Sequence, residues 1–147
     1  MPVLHELCDL PLAQPIPCRG STNPDGVDLN LLLMANPLTT FFMRVRGQHL
    51  RAWGVREGDL LLIDRAIEPR PGHLVVVAHG GRFLLRPLVG QADHQWRLAG
   101  LGPTDPPIPW NQQDPLASGL FGVATHAVHH LLRPRERSVG PPKVLRG

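Results

Sequence analysis

The side chains able to do chemistry are few, and their spacing limits what they can do together. His126, His129 and His130 fall close to one another. On an extended strand His126 and His130 share one face and His129 takes the other, so the three do not converge on one ion. No cysteine accompanies them and no CxxC pair is present. A metal centre is therefore not expected, and nothing calls for a cofactor. A hydroxyl nucleophile needs a base beside it, yet the serines are the scattered Ser21, Ser118 and Ser138, and the only lysine is Lys143. Trp53, Trp96 and Trp110 could stack on bases. With no tyrosine and a single lysine they are expected instead to anchor a core or an interface. Asp59 and Asp64 flank an apolar run and read as turn and edge residues, not as paired catalytic carboxylates.

The elements that must position these residues are mostly short strands. Residues 1–27 are rich in proline and glycine and are expected as a flexible, extended arm, because proline removes donors and fixes φ. Asp28 can cap a short helix of about two turns that Pro37 stops, with its leucines packed. Strand signals follow at 41–46, 60–64, 73–78, 82–86, 96–99 and 120–128, separated by turn pairs such as Pro71-Gly72 and Gly80-Gly81. Residues 100–118 read as loop. Residues 133–147 read as a flexible basic tail. One domain over 28–132 is thus expected, mainly β.

Composition excludes several classes. The chain has 147 residues, of which 42% are hydrophobic, enough for a core. No run approaches the roughly 20 apolar residues of a membrane helix. Cys8 and Cys18 without an export signal read as reduced thiols, and a cytoplasmic location follows. The formal charge is +3, with arginines dispersed except for Arg133, Arg135 and Arg137, so direct DNA contact is expected to be weak or absent.

Several blocks occur in a distinctive order. They are Asp28-Leu29-Asn30 with Leu31-Leu32, Pro37 and Phe42 ahead of a basic residue, continuing through Gly47; Val55 to Asp64; Pro71-Gly72 through Val77; Gly81 to Arg86; and Leu120 to Val123 with His126. This ordered set, over most of the chain, resembles the UmuD-type members of the LexA/UmuD family of serine self-cleaving peptidases. The segment before Asp28 is too short for a helix-turn-helix domain, which favours UmuD over LexA. The resemblance implies packed, strongly bent β-sheets with a short N-terminal helix and an extended arm.

The resemblance also sets what the site should contain. The family's nucleophile motif reads Gly-Asp-Ser-Met. Here the former active-site loop reads Gly47-Gln48-His49-Leu50, with His49 at the nucleophile position, and Arg86 stands at the position of the lysine base. A guanidinium effectively keeps its proton and cannot act as that base. No slip of the alignment restores the pair, because no serine or lysine lies nearby. The cleavage-site region, usually a small residue followed by glycine, reads Cys18-Arg19-Gly20. A degenerate Ser-Lys peptidase without self-cleavage is therefore expected. The function implied is an accessory subunit, dimeric with itself and joined to a Y-family DNA polymerase in error-prone translesion synthesis during the SOS response. The alternatives are a self-processing serine peptidase, or a decoy that binds RecA–DNA filaments or pairs with an active UmuD.

Overall fold

In the computed structural model the described residues are 17–132, and the chain divides into two compact units between Ala35 and Asn36. The arginines of the expected tail, Lys143, Ser138 and Cys8 lie outside the described residues.

In the first unit residues 17–28 double back on themselves. The Arg19 amide donates to the Val27 carbonyl at 2.8 Å and the Val27 amide to the Pro17 carbonyl at 2.9 Å. Gly20 and Asn23 exchange backbone bonds of 3.0 and 3.1 Å. Helix α1 spans Leu29–Leu33, and the Asp28 side chain accepts from the Asn30 amide at 3.0 Å. The helix is shorter than the sequence suggests, because Met34 already departs from helical geometry at φ −119 and ψ 79. Its leucines are also not packed: Leu29 is 54% and Leu31 66% exposed. The Asp28 cap, not burial, holds this single turn.

The second unit is a sheet. Its strands are β1 (Thr40–Arg44), β2 (Leu60–Asp64), β3 (Leu74–His79), β4 (Arg82–Gly90), β5 (Trp96–Leu98), β6 (Ile108–Pro109) and β7 (Leu120–Val128). All pair antiparallel, in the order β1-β2-β7-β3-β4-β5-β6. β6 arises inside the proline-rich stretch expected to be loop. β4 serves two partners: Arg82–Pro87 pair with β3 and Leu88–Gly90 with β5. Pro87 sits where one ladder gives way to the other, a position that tolerates a missing amide.

β3 explains why its sequence is an unbroken apolar run. Val75 and Val77 point into one cluster with Leu88, Leu98, Trp110 and Val123. Val76 points the other way, into a cluster with Leu61 and Ile63. A strand covered on both faces loses the usual alternation. Between β2 and β3 lies β7, whose register shifts twice, opposite Leu62/Ile63 and opposite Val76/Val77. Each bulge adds a residue on β7 and sharpens the local twist. At its centre Gly122 has no room for a side chain, since a Cβ would stand 2.7 Å from Ile63 Cγ2 and 3.1 Å from the Asp64 carbonyl oxygen.

The expected edge aspartates are more deeply placed than their sequence positions imply. Asp59 is 1% and Asp64 9% exposed. They are buried because they replace backbone partners in turns. Asp59 accepts from the Arg56 amide at 2.8 Å. Asp64 accepts from the Thr39 hydroxyl at 2.7 Å and the Ala66 amide at 2.8 Å. No helix among the described residues is long and apolar enough to cross a membrane.

Gly122→Ala is expected to destabilise the fold by about 1–3 kcal/mol through overpacking. Gly102→Ala, where a Cβ meets nothing within 4 Å, should change stability by less than about 0.5 kcal/mol. Urea unfolding of both variants checks this, and equal midpoints would contradict the packing at Gly122.

Candidate functional site

A cleft of about 790 Å³ opens in the second unit. One wall is the segment leaving β1, with Val45, Arg46, Gly47, His49 and Leu50; the other is β4 from Arg82 to Arg86, with the loop carrying Leu101, Gly102, Thr104 and Asp105. Backbone bonds fasten the first wall to the start of β2, since the Val45 amide donates to the Asp59 carbonyl at 2.9 Å and the Gly58 amide to the Val45 carbonyl at 2.8 Å. Leu50 and Val55, 7% and 3% exposed, pin a short 3₁₀ turn at Arg51–Trp53 to the core. Gly47 takes φ +90, a left-handed conformation that side-chain-bearing residues avoid. The chain turns there so that the His49 ring folds back to within 3.2 Å of where a Gly47 Cβ would sit.

The structure therefore brings His49 and Arg86 into one cleft, together with Gly47 and Leu50. Gln48 is exposed beside it. His49 is exposed and makes no hydrogen bond among the described residues. Arg86 is not free. Its side chain is only 13% exposed, and one terminal nitrogen donates to the Asp105 carboxylate at 2.8 Å. The other donates to the Leu85 carbonyl at 2.8 Å. Its Nε is buried without a partner among the described residues.

Asp105 is the site residue that the sequence did not disclose. It lies between Thr104 and Pro106 in a proline-rich stretch, and no spacing rule links positions 86 and 105. The available signal was Arg86 itself, because a half-buried cation on a strand requires a partner. The loop is built to deliver that partner. The Asp105 amide donates to the Gly102 carbonyl at 3.1 Å, and its carboxylate accepts from the Leu101 amide at 3.2 Å. A Cβ at Gly100 would collide with the Asp105 carbonyl oxygen at 2.2 Å, so glycine is required there.

The remaining candidates lie elsewhere. Cys18, Arg19 and Gly20 belong to the first unit; Cys18 is an exposed free thiol, and Arg19 Nε donates to the Gly26 carbonyl at 3.3 Å. Ser118 accepts from the Asn111 amide at 2.8 Å and lines a second cleft, with Trp96, Trp110 and Gln112. Trp110 is buried and Trp96 packs on the same core cluster, whereas Trp53 is 46% exposed. His126 lies 2.9 Å from the Thr125 hydroxyl and His129 3.8 Å from Asp59. Among the described residues no three His, Cys, Asp or Glu side chains cluster as metal ligands.

What this cleft can do follows from its groups. It offers guanidinium donors, an imidazole, the Thr104 hydroxyl and one carboxylate committed to Arg86. It suits holding charged or hydrogen-bonding atoms, and among the described residues neither a serine nor a lysine lines it.

The sequence pattern of the Peptidase S24-like family matches residues 13–118. The protein ImpA of Salmonella typhimurium is 32% identical over 103 residues, covering 70% of this chain and 68% of ImpA. The protein SamA of Salmonella typhimurium is 31% identical over 128 residues, covering 87% of this chain and 84% of SamA. The protein MucA of Escherichia coli is 24% identical over 122 residues, covering 78% and 75%.

The ion pair is expected to carry measurable coupling. A double-mutant cycle of Arg86→Ala and Asp105→Ala, read by urea unfolding, should give an interaction of about 0.5–3 kcal/mol. Strict additivity of the two changes would show that the contact contributes nothing.

Proposed function

The chain belongs to the Peptidase S24-like family, of the LexA/UmuD type, and from that premise we propose that it is a UmuD-like accessory subunit of an error-prone translesion polymerase in the SOS response. It binds without cutting its own arm. The observation that carries this reading is the chemistry of the cleft, where an arginine tied to a carboxylate and an exposed histidine line the walls, with no serine or lysine among the lining residues. A peptide bond is not opened by these groups. An imidazole attacking an amide gives an unstable acyl product, and the guanidinium cannot take a proton from a nucleophile.

A surface for partners supports the same reading. Phe41 and Phe83 are 44% and 54% exposed. They flank Phe121 edge to face, with centroids 5.5 and 5.3 Å away, and the Arg65 guanidinium lies 4.6 Å from the Phe121 centroid. Contiguous exposed aromatics beside an arginine are the composition of a protein interface. The partners of this reading are a second copy of the chain and the catalytic subunit of a Y-family polymerase.

Co-purification of the tagged chain with the Y-family polymerase encoded nearest its gene tests the proposal. A stable complex by light scattering, two copies to one polymerase, is the expected result; a homodimer that ignores the polymerase would sink it. Phe83→Glu should weaken that complex at least about fivefold, since losing an interface anchor costs more than about 1 kcal/mol, while the chain stays folded. For the chemistry, intact mass after alkaline incubation, or after mixing with RecA, ATP and single-stranded DNA, should stay at full length. A fragment starting at Arg19 or Gly20 would restore the peptidase reading.

A further inference from the structure

The Arg86–Asp105 contact has a consequence beyond the absence of a serine and a lysine. We propose that Asp105 is a positioning residue that holds a cation at position 86, so that a lysine placed there would be kept as its ammonium and could not serve as a base until Asp105 is also changed. The inference rests on the reading of position 86 as the base position of the family.

The physical argument starts from what a lysine base requires. It must lose its own proton before it can accept one from a neighbouring hydroxyl. Burial and nearby positive charge favour the neutral amine, whereas a carboxylate at hydrogen-bonding distance favours the ammonium. In this cleft the two influences can be separated by residue. Arg46 from the segment leaving β1 and Arg82 from β4 are cationic, and His49 carries no negative charge in either of its forms. Glu57 is turned to the Gly47 amide at 3.5 Å. Among the described residues Asp105 is the one carboxylate lining the cleft, and it already lies 2.8 Å from the Arg86 guanidinium. The neighbouring arginines thus favour a neutral lysine, the Leu85 carbonyl that now accepts from Arg86 favours the ammonium weakly, and among the described lining residues Asp105 is the one full negative charge that opposes neutrality.

Position and rigidity strengthen the case. The Asp105 carboxylate cannot readily swing away, because it also accepts from the Leu101 amide at 3.2 Å and its loop is closed by the bond to Gly102. The position paired with Arg86 across the ladder is Val75, which is fully buried, so a side chain at 86 is set against a packed strand. A lysine is about one bond shorter than arginine, so its ammonium would lie near the present guanidinium carbon, next to the same carboxylate. Restoring residue types at positions 49 and 86 would thus rebuild a hydroxyl beside an ammonium. A third change, at 105, is needed to obtain a base.

Because Lys143 is the only native lysine, the test has a clean readout. The full-length Arg86→Lys protein, labelled in its lysine side chains, shows two ε-methylene NMR signals, with Lys143 as the internal reference. The lysine introduced at 86 is expected to titrate at or above Lys143. In Arg86→Lys/Asp105→Asn its midpoint should fall by about 1–3 pH units, the size of a single opposite-charge neighbour. Identical midpoints in the two proteins would overturn the proposal. Should the lysine variants fail to fold, the native chain and Asp105→Asn are compared through guanidinium hydrogen exchange at Arg86. At least tenfold faster exchange in the variant is expected, and unchanged exchange overturns the proposal. Neither readout involves cleavage or polymerase binding, so this inference and the subunit reading fail independently.

Discussion

The backbone ladder that β7 makes with β2 on one side and β3 on the other is what joins the sheet. β1 and β2 form a hairpin-like pair, and β3 to β6 form a second run of neighbours. No strand of the first group pairs with a strand of the second except through β7. The joining strand is the last of the described strands, and its ladders reach back to Leu60–Asp64 and Val75–Val77. Such non-local pairing requires loop-closure entropy to be overcome before contacts compensate for it. Gly122 leaves no space for a side chain beside Ile63 and the Asp64 carbonyl, and it lies between the two register shifts by which β7 meets β2 and β3.

The cleft inherits this dependence. Gly47, His49 and Leu50 hang from the β1–β2 side, while Arg86 and Asp105 hang from β4 and the loop beyond β5. They face each other because β7 sets the distance between the two groups of strands. Within that frame the walls are held by groups other than the ones lining the cleft. Asp59 ties the turn before β2 to the Arg56 amide, and Leu50 and Val55 bury the 3₁₀ turn. The lining side chains can change their chemistry without unmaking the walls, which is how one fold comes to carry a site of different charge.

How legible this was in the sequence depends on whether the signal was local. β2 and β3 could be read closely because each is an apolar run bounded by turn residues, Gly58-Asp59 before one and Pro71-Gly72 before the other. β7 was readable as a strand, but its place between β2 and β3 was not, since pairing across sixty residues leaves no trace in local periodicity. β6 was hidden by its prolines; it is a two-residue edge strand, where a missing amide costs little. The helix after Asp28 was over-long in expectation because its leucines suggested packing that the first unit does not supply. For the site, the ordered blocks located His49 and Arg86, and both line the same cleft. Asp105 escaped because a loop carboxylate nineteen residues from its partner looks like any other turn residue.

Asp105 also changes what positions 49 and 86 mean when they are read from sequence alone. Inspecting the two reacting positions treats each as independent, and a single lysine at 86 would then look like a restoration. The structure makes position 86 part of a pair whose electrostatics is set by position 105. Arg86 is well suited to that pairing, since its planar, permanently charged fork bonds Asp105 and the Leu85 carbonyl at once. A neutral lysine would use the same space for the opposite purpose, and the two solutions exclude each other through one carboxylate. The cleft as it stands fixes a charge, with Arg86 held between the Asp105 carboxylate and the Leu85 carbonyl. That pairing ties β4 to the loop that follows β5, so the charge on one wall and the geometry of the other are set together.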